Sequence, residues 1–387
     1  MSPHQRSIPA IAVVTAAALA LGLSGCGDDS NRDESNKDGT SSDIADIESG
    51  EPIPDERCEA NRAAGTITYL SSFDFAAAAS IVEVLVAEER GYFDELCLDV
   101  DIQASFSTAN YPLIAANDAQ FSSGGSFSEV VTFAAANEAD FVAVAVEGRT
   151  AIDSLIVKPG AAVELEDLLG STIGVKLGKL PPSVGAMLAG AGLIEGTDYE
   201  TVAVEGFDPI AHIAIPSIVG FPGYKSNEPG QLDRAAIDFT LFDPTEYDVP
   251  GSFGVLYTNR TFLTEHPSAA QDFVRAAMAG LTDAITDPAA ASAIAVELIN
   301  GGGNPNFLSP EGETFRWETE SQLIVDTTPD GTGYGVPDAV VLQEELDTYA
   351  AVGLFGDGET PTAEDWIDAS IISSVYADDG SIIWPGQ

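Results

Sequence analysis

Few side chains in this sequence are suited to covalent or metal chemistry. Histidine stands at His4, His212 and His266, and none of them has a cysteine or another histidine at metal-binding spacing. The segment GVKLGKL at 174–180 imitates a phosphate loop, but three residues separate its glycines where the motif has four. A serine-elbow pattern is absent from the sequence. We therefore expect packed or capping histidines, no metal, no cofactor and no enzymatic activity.

Cys26 follows an apolar segment near the start of the chain. The sixteen residues 8–23 come after Arg6 and end at the small residues Ser24 and Gly25, as in a secretory signal. This run is shorter than the roughly 20 residues of a bilayer-spanning helix. The tetrapeptide LSGC at 23–26 resembles the lipobox of bacterial lipoproteins, whose cysteine is acylated. We predict a lipoprotein signal peptide over 1–25 and a lipid anchor at Cys26 on the extracytoplasmic side of the cell membrane. The alternative is an ordinary secretory signal with a chance cysteine.

The two remaining cysteines, Cys58 and Cys97, form an even pair in a chain predicted to be exported. Such a pair favours a disulfide. Two buried free thiols are the alternative, because the sequence does not place their α-carbons within bonding range.

The charge balance is strongly acidic. Lysine and arginine total 15 against 62 aspartate and glutamate residues, a formal net charge of −47. This balance argues against nucleic acid or an anionic membrane surface as a partner. Residues 26–64 are rich in Asp, Glu, Ser and Gly, and such a segment buries too little apolar surface to offset its ordering entropy. We predict a disordered acidic tether there.

From Gly65 onward the sequence alternates strand-like and helix-like stretches, which indicates α/β sheets with right-handed crossovers. The chain beyond the tether is longer than one hydrophobic core usually supports, so two lobes are expected. Amphipathic helices at 266–286 and 287–300 follow the second series of strands. The predicted divisions are lobe 1 at 65–155, lobe 2 at 156–250, and a return to lobe 1 with C-terminal helices at 251–387.

Several segments resemble the substrate-binding lipoproteins of ABC importers. They are AEERGYFDELCLDVDIQ (87–103), FSSGGSFSEV (121–130), ELEDLLGSTIGVKLGKLPPSVGAML (164–188), GFPGYKSNEPGQL (220–232) and FGVLYTNRTFLTEHPSAAQDFVRAAMAG (253–280). The most similar branch serves thiamine-pyrimidine precursors, with nitrate, sulfonate and taurine binders as relatives. The resemblance implies a type II periplasmic-binding-protein fold, in which two α/β lobes joined by a hinge close a ligand cleft. It also implies a monomer that delivers a small molecule to an ABC permease and ATPase.

In open α/β sheets, ligands bind beyond the carboxyl ends of the strands. Here that edge corresponds to the loops after the predicted strands 66–72, 120–122, 173–177 and 213–220. Aromatic faces there suit a heterocycle, small residues admit close backbone approach, and a helix start favours an acceptor group. Within the segment that resembles the family's Asn-Glu-Pro motif, a glutamate suits a ligand amino group. The candidate contacts are Ser72, Phe73, Phe75, Ser123, Gly124, Ser126, Ser183, Tyr224, Asn227 and Glu228. For each one alone, a packed aromatic or a capping hydroxyl is the competing interpretation.

Arginine is scarce near these loops, where Lys176 and Lys179 are the main cations. Sulfonate and nitrate sites usually use Arg, Lys or helix-start amides. With Glu228 present, the sequence favours a neutral or cationic nitrogen heterocycle, and a sulfonate, taurine or nitrate binder is the alternative. A further alternative is an enzyme related to the yeast thiamine-precursor synthases. Those enzymes depend on a histidine and a cysteine-rich segment that this chain lacks.

Overall fold

The structure is a computed structural model that describes residues 44–206, 208–302 and 309–386. The predicted signal peptide, Cys26 and the predicted tether as far as residue 43 lie outside the described residues.

Strands and helices alternate over most of this part of the chain. The strands are β1 Thr66–Leu70, β2 Asp99–Gln103, β3 Phe121–Gly124, β4 Phe141–Gly148, β5 Asp153–Val157, β6 Thr172–Val175, β7 Glu200–Ala203, β8 Gly220–Tyr224, β9 Thr240–Phe242 and β10 Phe253–Asn259. The helices are α1 Asp55–Ala63, α2 Val82–Glu89, α3 Tyr92–Glu95, α4 Ser107–Ala115, α5 Phe127–Asn137, α6 Pro182–Gly190, α7 Pro209–Ile213, α8 Glu228–Arg234, α9 Arg260–Glu265, α10 Pro267–Thr286, α11 Pro288–Gly302, α12 Pro310–Thr327, α13 Ala339–Ala351 and α14 Ala369–Ser373.

Among the described residues the strands form two five-stranded sheets. The first has the order β2-β1-β3-β10-β4 and the second has the order β7-β6-β8-β5-β9. Within the first, β10 runs antiparallel to β3 and β4; within the second, β5 runs antiparallel to β8 and β9. We call the first sheet with its helices lobe 1 and the second with its helices lobe 2. The chain crosses between them after β4 and again after β9.

The two edges of the first sheet differ in burial. Strand β10 and its neighbour β4, which stands at one edge, are buried along their whole length. Such strands read as continuous apolar runs because both faces are covered by helices. The edge strand β2 alternates exposed and half-buried residues, as its alternating sequence predicts.

The C-terminal helices connect the lobes. Helix α10 packs on α2 of lobe 1 so closely that a Cβ at Gly280 would stand 2.1 Å from the Glu83 carbonyl oxygen. Trp317 of α12 is fully buried in the lobe 1 core. Tyr349 of α13 instead belongs to the lobe 2 core. The C-terminal helices therefore pack against both lobes and not against lobe 1 alone.

Part of the predicted tether is folded. Residues 55–63 form helix α1, and Cys58 is joined by a disulfide to Cys97, with their α-carbons 5.3 Å apart. Buried Arg57 pairs with buried Asp272 of α10, at 2.8 Å between Nε and Oδ2. The prediction of disorder through residue 64 was wrong here, because these long-range contacts compensate for a polar composition.

Two boundaries also differ from the sequence prediction. The strand expected at 213–220 is β8 at Gly220–Tyr224, and the preceding residues form helix α7, which Asp208 caps by accepting the Ile210 N–H. The predicted change of lobe at 155/156 falls inside β5, which already belongs to lobe 2. In the first case the apolar residues of 213–220 resemble a strand, yet residues 214–217 are exposed or half-buried and show no period of two. Within the described residues, every helix is too short or too polar to cross a bilayer.

Candidate functional site

The loop that follows β1, residues 71–81, is tied to the end of β3. The Ser72 N–H donates to Ser123 Oγ at 2.5 Å, and Ser123 is fully buried. Gly124 is buried as well, and a Cβ there would lie 2.6 Å from Val130 Cγ2. Ser123 and Gly124 therefore shape the edge of the sheet from within the lobe.

Aromatic rings stand along the same edge. Phe73 and Phe106 meet edge to face with centroids 5.9 Å apart, and Phe106 is 48% exposed. The guanidinium of Arg316 lies 5.8 Å from the centre of the Phe73 ring. Phe73 and Phe75 are partly exposed, which suits the predicted stacking role. Sequence reasoning missed Phe106, whose exposure depends on where the loop after β2 folds back.

Backbone amides of the β1 loop already donate to carboxylates of the chain itself. The Ala77 N–H donates to Glu313 Oε2 at 2.6 Å, and the Ala79 N–H donates to Glu320 Oε2 at 2.6 Å. The Ser80 N–H donates to Glu147 Oε1 at 3.1 Å. These donors lie in the loop before α2, which begins at Val82, and their pairing with carboxylates means that they are not open to an anionic ligand.

Ser126 caps helix α5. Its Oγ accepts from the Glu129 N–H at 3.2 Å, the first half of a Ser-x-x-Glu capping pattern. The Glu129 carboxylate accepts from the Tyr111 hydroxyl at 2.9 Å. Ser126 therefore has a structural role, and it places Glu129 beside the cleft. The SFSE spacing in the sequence was a signal that pointed to this glutamate.

Asp153 lies at the cleft edge of lobe 2. This position is unexpected, because Asp153 is the first residue of its strand and ligands of such sheets bind at the carboxyl ends of the strands. Because β5 runs antiparallel to β8, Asp153 pairs in register with Tyr224 at the end of β8. Ser183, the second residue of α6, donates its hydroxyl to Asp153 Oδ2 at 3.1 Å. Burial raises the pKa of Asp153 to about 6, against the opposing effects of Ser183 and Lys176. Ser183 thus orients a carboxylate that the sequence analysis had not selected.

Both oxygens of Glu228 are used within lobe 2. Oε1 pairs with the Lys176 ammonium, and Oε2 accepts from the Tyr224 N–H at 2.8 Å. Glu228 is 3% exposed. It therefore holds the end of β8 in place, which differs from its predicted role as an acceptor for a ligand amino group. Neighbouring Asn227 accepts from Arg316 Nη2 at 3.2 Å.

Tyr224 reaches across to lobe 1. Its side chain is 46% exposed, and its hydroxyl lies 3.8 Å from the point that a Cβ of Gly125 would occupy. The surrounding protein, and then the charges of Asp153 and Glu129, raise the pKa of Tyr224. Tyr224 is thus partly exposed between its own lobe and Gly125 of lobe 1, close enough to Asp153 and Glu129 to be affected by their charges, and we take these three residues to line the cleft.

The remaining polar features lie elsewhere. A cavity of about 420 Å³ lies among the end of α10 and residues 331–334 and 379–384, away from the strand ends. The His212 ring meets Phe221 edge to face and donates from Nε2 to the Glu205 carbonyl at 2.9 Å. Among the described residues, no group of three or more His, Cys, Asp or Glu side chains is arranged to hold a metal ion.

Comparison with known proteins decides the family. The family model described as NMT1/THI5 like matches residues 78–291, which is more than half of the chain. The chain belongs to the NMT1/THI5-like family. Its fold is that of the periplasmic binding proteins, with helices at the C-terminal end, as the sequence predicted.

Three known proteins are similar to the chain in sequence or in fold. The riboflavin-binding protein RibY of Chloroflexus aurantiacus is 28% identical over 167 residues, which span 43% of this chain and only 44% of that protein. The periplasmic aliphatic sulphonate binding protein SsuA of Escherichia coli aligns with a TM-score of 0.59 at 13% identity, covering 78% of this chain and 91% of that one. The desulfurization enzyme DSZB aligns with a TM-score of 0.55 at 14% identity, covering 80% and 97%. At such identities the two structures establish the fold alone.

Proposed function

We propose that this member of the NMT1/THI5-like family is a solute-binding protein that captures a small nitrogen heterocycle outside the cytoplasm. It hands that molecule to an ABC permease and ATPase and releases it chemically unchanged. The observation that supports this proposal most is the cleft edge itself. Partly exposed aromatic faces and hydrogen-bond acceptors from both lobes converge there, while the Ala77 and Ala79 amides of the β1 loop already donate to carboxylates of the chain.

The charges of the cleft favour a ligand that donates hydrogen bonds or bears a positive charge. Glu129, Asp153 and Glu228 contribute carboxylates, and Lys176 pairs with Glu228. A ligand with an amino group or a ring N–H supplies donors to the carboxylates of Glu129 and Asp153, which accept from the hydroxyl groups of Tyr111 and Ser183. The hydroxymethyl-aminopyrimidine of thiamine has this chemistry.

A sulfonate or nitrate would need the opposite chemistry. Anion sites use free helix-start amides or cationic side chains. In this chain the amides of Ala77 and Ala79 donate to Glu313 and Glu320, and Arg316 donates to both oxygens of Glu313. These pairings disfavour the anion alternative, although the fold is shared with a sulphonate binding protein.

Riboflavin is the second ligand to be tested. The name of RibY states what that relative binds, and the isoalloxazine ring presents an N–H and carbonyls on a flat aromatic system. The stacking faces of Phe73 and Phe106 suit either ring. The two ligands share the heterocycle chemistry, so the cleft features above support both.

The cellular setting belongs to the same proposal. A lipid on Cys26 would anchor a monomer to the outer face of the cell membrane, with the acidic segment as a spacer. The same fold also occurs in an enzyme, DSZB. An enzyme that converts its ligand is therefore the main alternative to a solute-binding protein. Among the described residues, His212 and His266 lie against Phe221 and Phe262, and we assign them packing roles.

The test is a thermal-shift and calorimetric screen of the purified chain with hydroxymethyl-aminopyrimidine, riboflavin, taurine and nitrate. A ligand at 100 times its dissociation constant should stabilise the fold by about 2.7 kcal/mol. We expect a shift with at least one heterocycle and recovery of that ligand at unchanged mass. A shift with taurine or nitrate alone would support the anion alternative, and a changed mass would reveal an enzyme.

A further inference from the structure

Glu320 of α12 contacts both lobes with a single carboxylate. Its Oε2 accepts from the Ala79 N–H of lobe 1 at 2.6 Å, and its Oε1 accepts from Ser226 Oγ of lobe 2 at 2.7 Å. Glu320 is 4% exposed, and Ser226 is fully buried. Both contacts are therefore shielded from water, where hydrogen bonds to a charged group are strongest.

The two partners belong to the loops that the proposed function assigns to the ligand. Ala79 lies in the β1 loop, which also contains Phe73 and Phe75. Ser226 lies between Tyr224 at the end of β8 and Glu228 at the start of α8. One side chain outside the cleft thus contacts the backbone of one ligand loop and a side chain of the other.

Helix α12 is fixed to lobe 1 and reaches lobe 2 from there. The Trp317 indole N–H donates to the Ala284 carbonyl at 2.8 Å inside the lobe 1 core. Glu313, Arg316 and Glu320 are spaced three and four residues apart and share one helix face. On this face Glu313 accepts from Ala77 N–H, while Arg316 donates to Asn227 of lobe 2.

We propose that Glu320 is a positioning residue that couples the two ligand loops, so that a change at Ser226 in lobe 2 loosens Ala79 in lobe 1. The proposal rests on the proposed function only in calling these segments ligand loops. The coupling itself follows from the shared carboxylate, because losing one of its two partners frees the side chain to move. Glutamine retains both contacts, since its carbonyl oxygen accepts from Ala79 and its NH₂ donates to Ser226 Oγ. Alanine loses both.

The experiment measures backbone hydrogen exchange of the purified, ligand-free chain in peptides that cover residues 74–82 and 222–230. We expect Glu320→Ala to speed exchange in both peptides by about tenfold, and Glu320→Gln to restore it to within about twofold. Ser226→Ala should speed exchange at 74–82 by about threefold, although the substitution lies in the other lobe. Ser292→Ala is the matched control, because that buried serine contacts Thr314 of α12 but lies within lobe 1.

If Ser226→Ala changes exchange at 222–230 and leaves 74–82 at the rate of the Ser292→Ala control, the coupling proposal is overturned. The same conclusion follows if Glu320→Gln exchanges as fast as Glu320→Ala. Should Glu320→Ala fail to fold, Ser226→Ala and Glu320→Gln still decide the question. No ligand is needed, so a negative ligand screen leaves this result unaffected, and a failure here leaves the solute-binding proposal standing.

Discussion

Two groups of carboxylates near the cleft have opposite roles. In lobe 1, Glu313, Glu320 and Glu147 accept hydrogen bonds from the backbone of the β1 loop. At the cleft edge, Asp153 of lobe 2 and Glu129 of lobe 1 instead have hydroxyl partners and contact solvent. The first group fixes the shape of a loop, and the second offers acceptors to a ligand.

This difference explains how so acidic a chain can organise a binding site. Buried carboxylates that accept backbone N–H groups contribute to the loop's structure while removing those donors from the cleft. The amides of Ala77, Ala79 and Ser80 are therefore not open to an anion. Substitutions in each group of carboxylates should therefore have different effects, on stability in the first group and on ligand affinity in the second.

The largest effect should come from Glu313→Ala. This change removes the acceptor for the Ala77 N–H and leaves Arg316, which is 4% exposed, without its bidentate partner. Removing one partner of a buried ion pair typically costs about 3 to 5 kcal/mol. We expect a loss of that size in the free energy of unfolding from urea denaturation. Glu318→Ala, an exposed position on the same helix, should cost less than about 0.5 kcal/mol. If the two variants lose equal unfolding free energy, Glu313 does not support the β1 loop.

The pair Glu83 and Glu147 should make stability depend on pH. Both are fully buried, and Glu83 Oε1, Glu83 Oε2 and Glu147 Oε2 have no hydrogen-bond donor among the described residues. Burial raises the pKa of Glu83 to about 8, and burial followed by the charge of Glu83 raises that of Glu147. A proton on Glu147 supplies the donor that Glu83 lacks. Glu320, Tyr69 and Tyr376 are the other titratable groups that interact with this pair.

Because the folded chain binds these protons more tightly than the unfolded chain, their stabilisation is complete below a pH of about 4.5 and is lost as the pH rises through about 8. Glu147→Gln keeps a donor toward Glu83 at every pH. Between pH 5 and pH 9 it should lose less unfolding free energy than the native chain, by on the order of 2 kcal/mol. Glu344→Gln, an exposed position, controls for the change in net charge. Parallel pH profiles for the native chain and Glu147→Gln would contradict the shared proton.

Asp153→Asn tests the acceptor side of the comparison. We expect affinity for the bound heterocycle to fall about tenfold by calorimetry, because a hydrogen bond to a charged acceptor is lost. Native affinity should rise from pH 5 to pH 7 as Asp153 ionises, since its pKa is raised to about 6, and the variant should lack this rise. Asp233→Asn, an exposed change in the same lobe, should leave affinity unaltered. A pH profile shared by Asp153→Asn and the native chain would exclude Asp153 from the site.

Sequence reasoning located the loops better than the side chains. The alternation of strands and helices predicted both sheets, and the resemblance pointed to the ends of β1, β3 and β8. It missed Asp153 because a strand that runs antiparallel within a mostly parallel sheet brings its first residue to the cleft edge. Nothing local in the sequence marks that reversal.

The support of the β1 loop was equally hidden. Ala79 and Glu320 are 241 positions apart, and the sequence of α12 is that of an ordinary charged helix. Glu228 was chosen as a ligand acceptor for its motif, yet its two oxygens are bound by Lys176 and the Tyr224 N–H. A motif indicates where a residue lies, and only the three-dimensional partners show which of its atoms remain available.

The smallest effect should come from Tyr224→Phe, which keeps the ring and removes the hydroxyl that reaches Gly125 of lobe 1. Because the side chain is 46% exposed, stability should stay within about 0.5 kcal/mol of native. Affinity for the heterocycle should fall about threefold, since a neutral hydroxyl contributes less than a carboxylate acceptor. Tyr247→Phe, at a tyrosine of lobe 2 that is 41% exposed, is the matched control. If calorimetry gives both variants the native affinity, the Tyr224 hydroxyl does not bind the ligand, and the acceptors of the cleft are the carboxylates of Asp153 and Glu129.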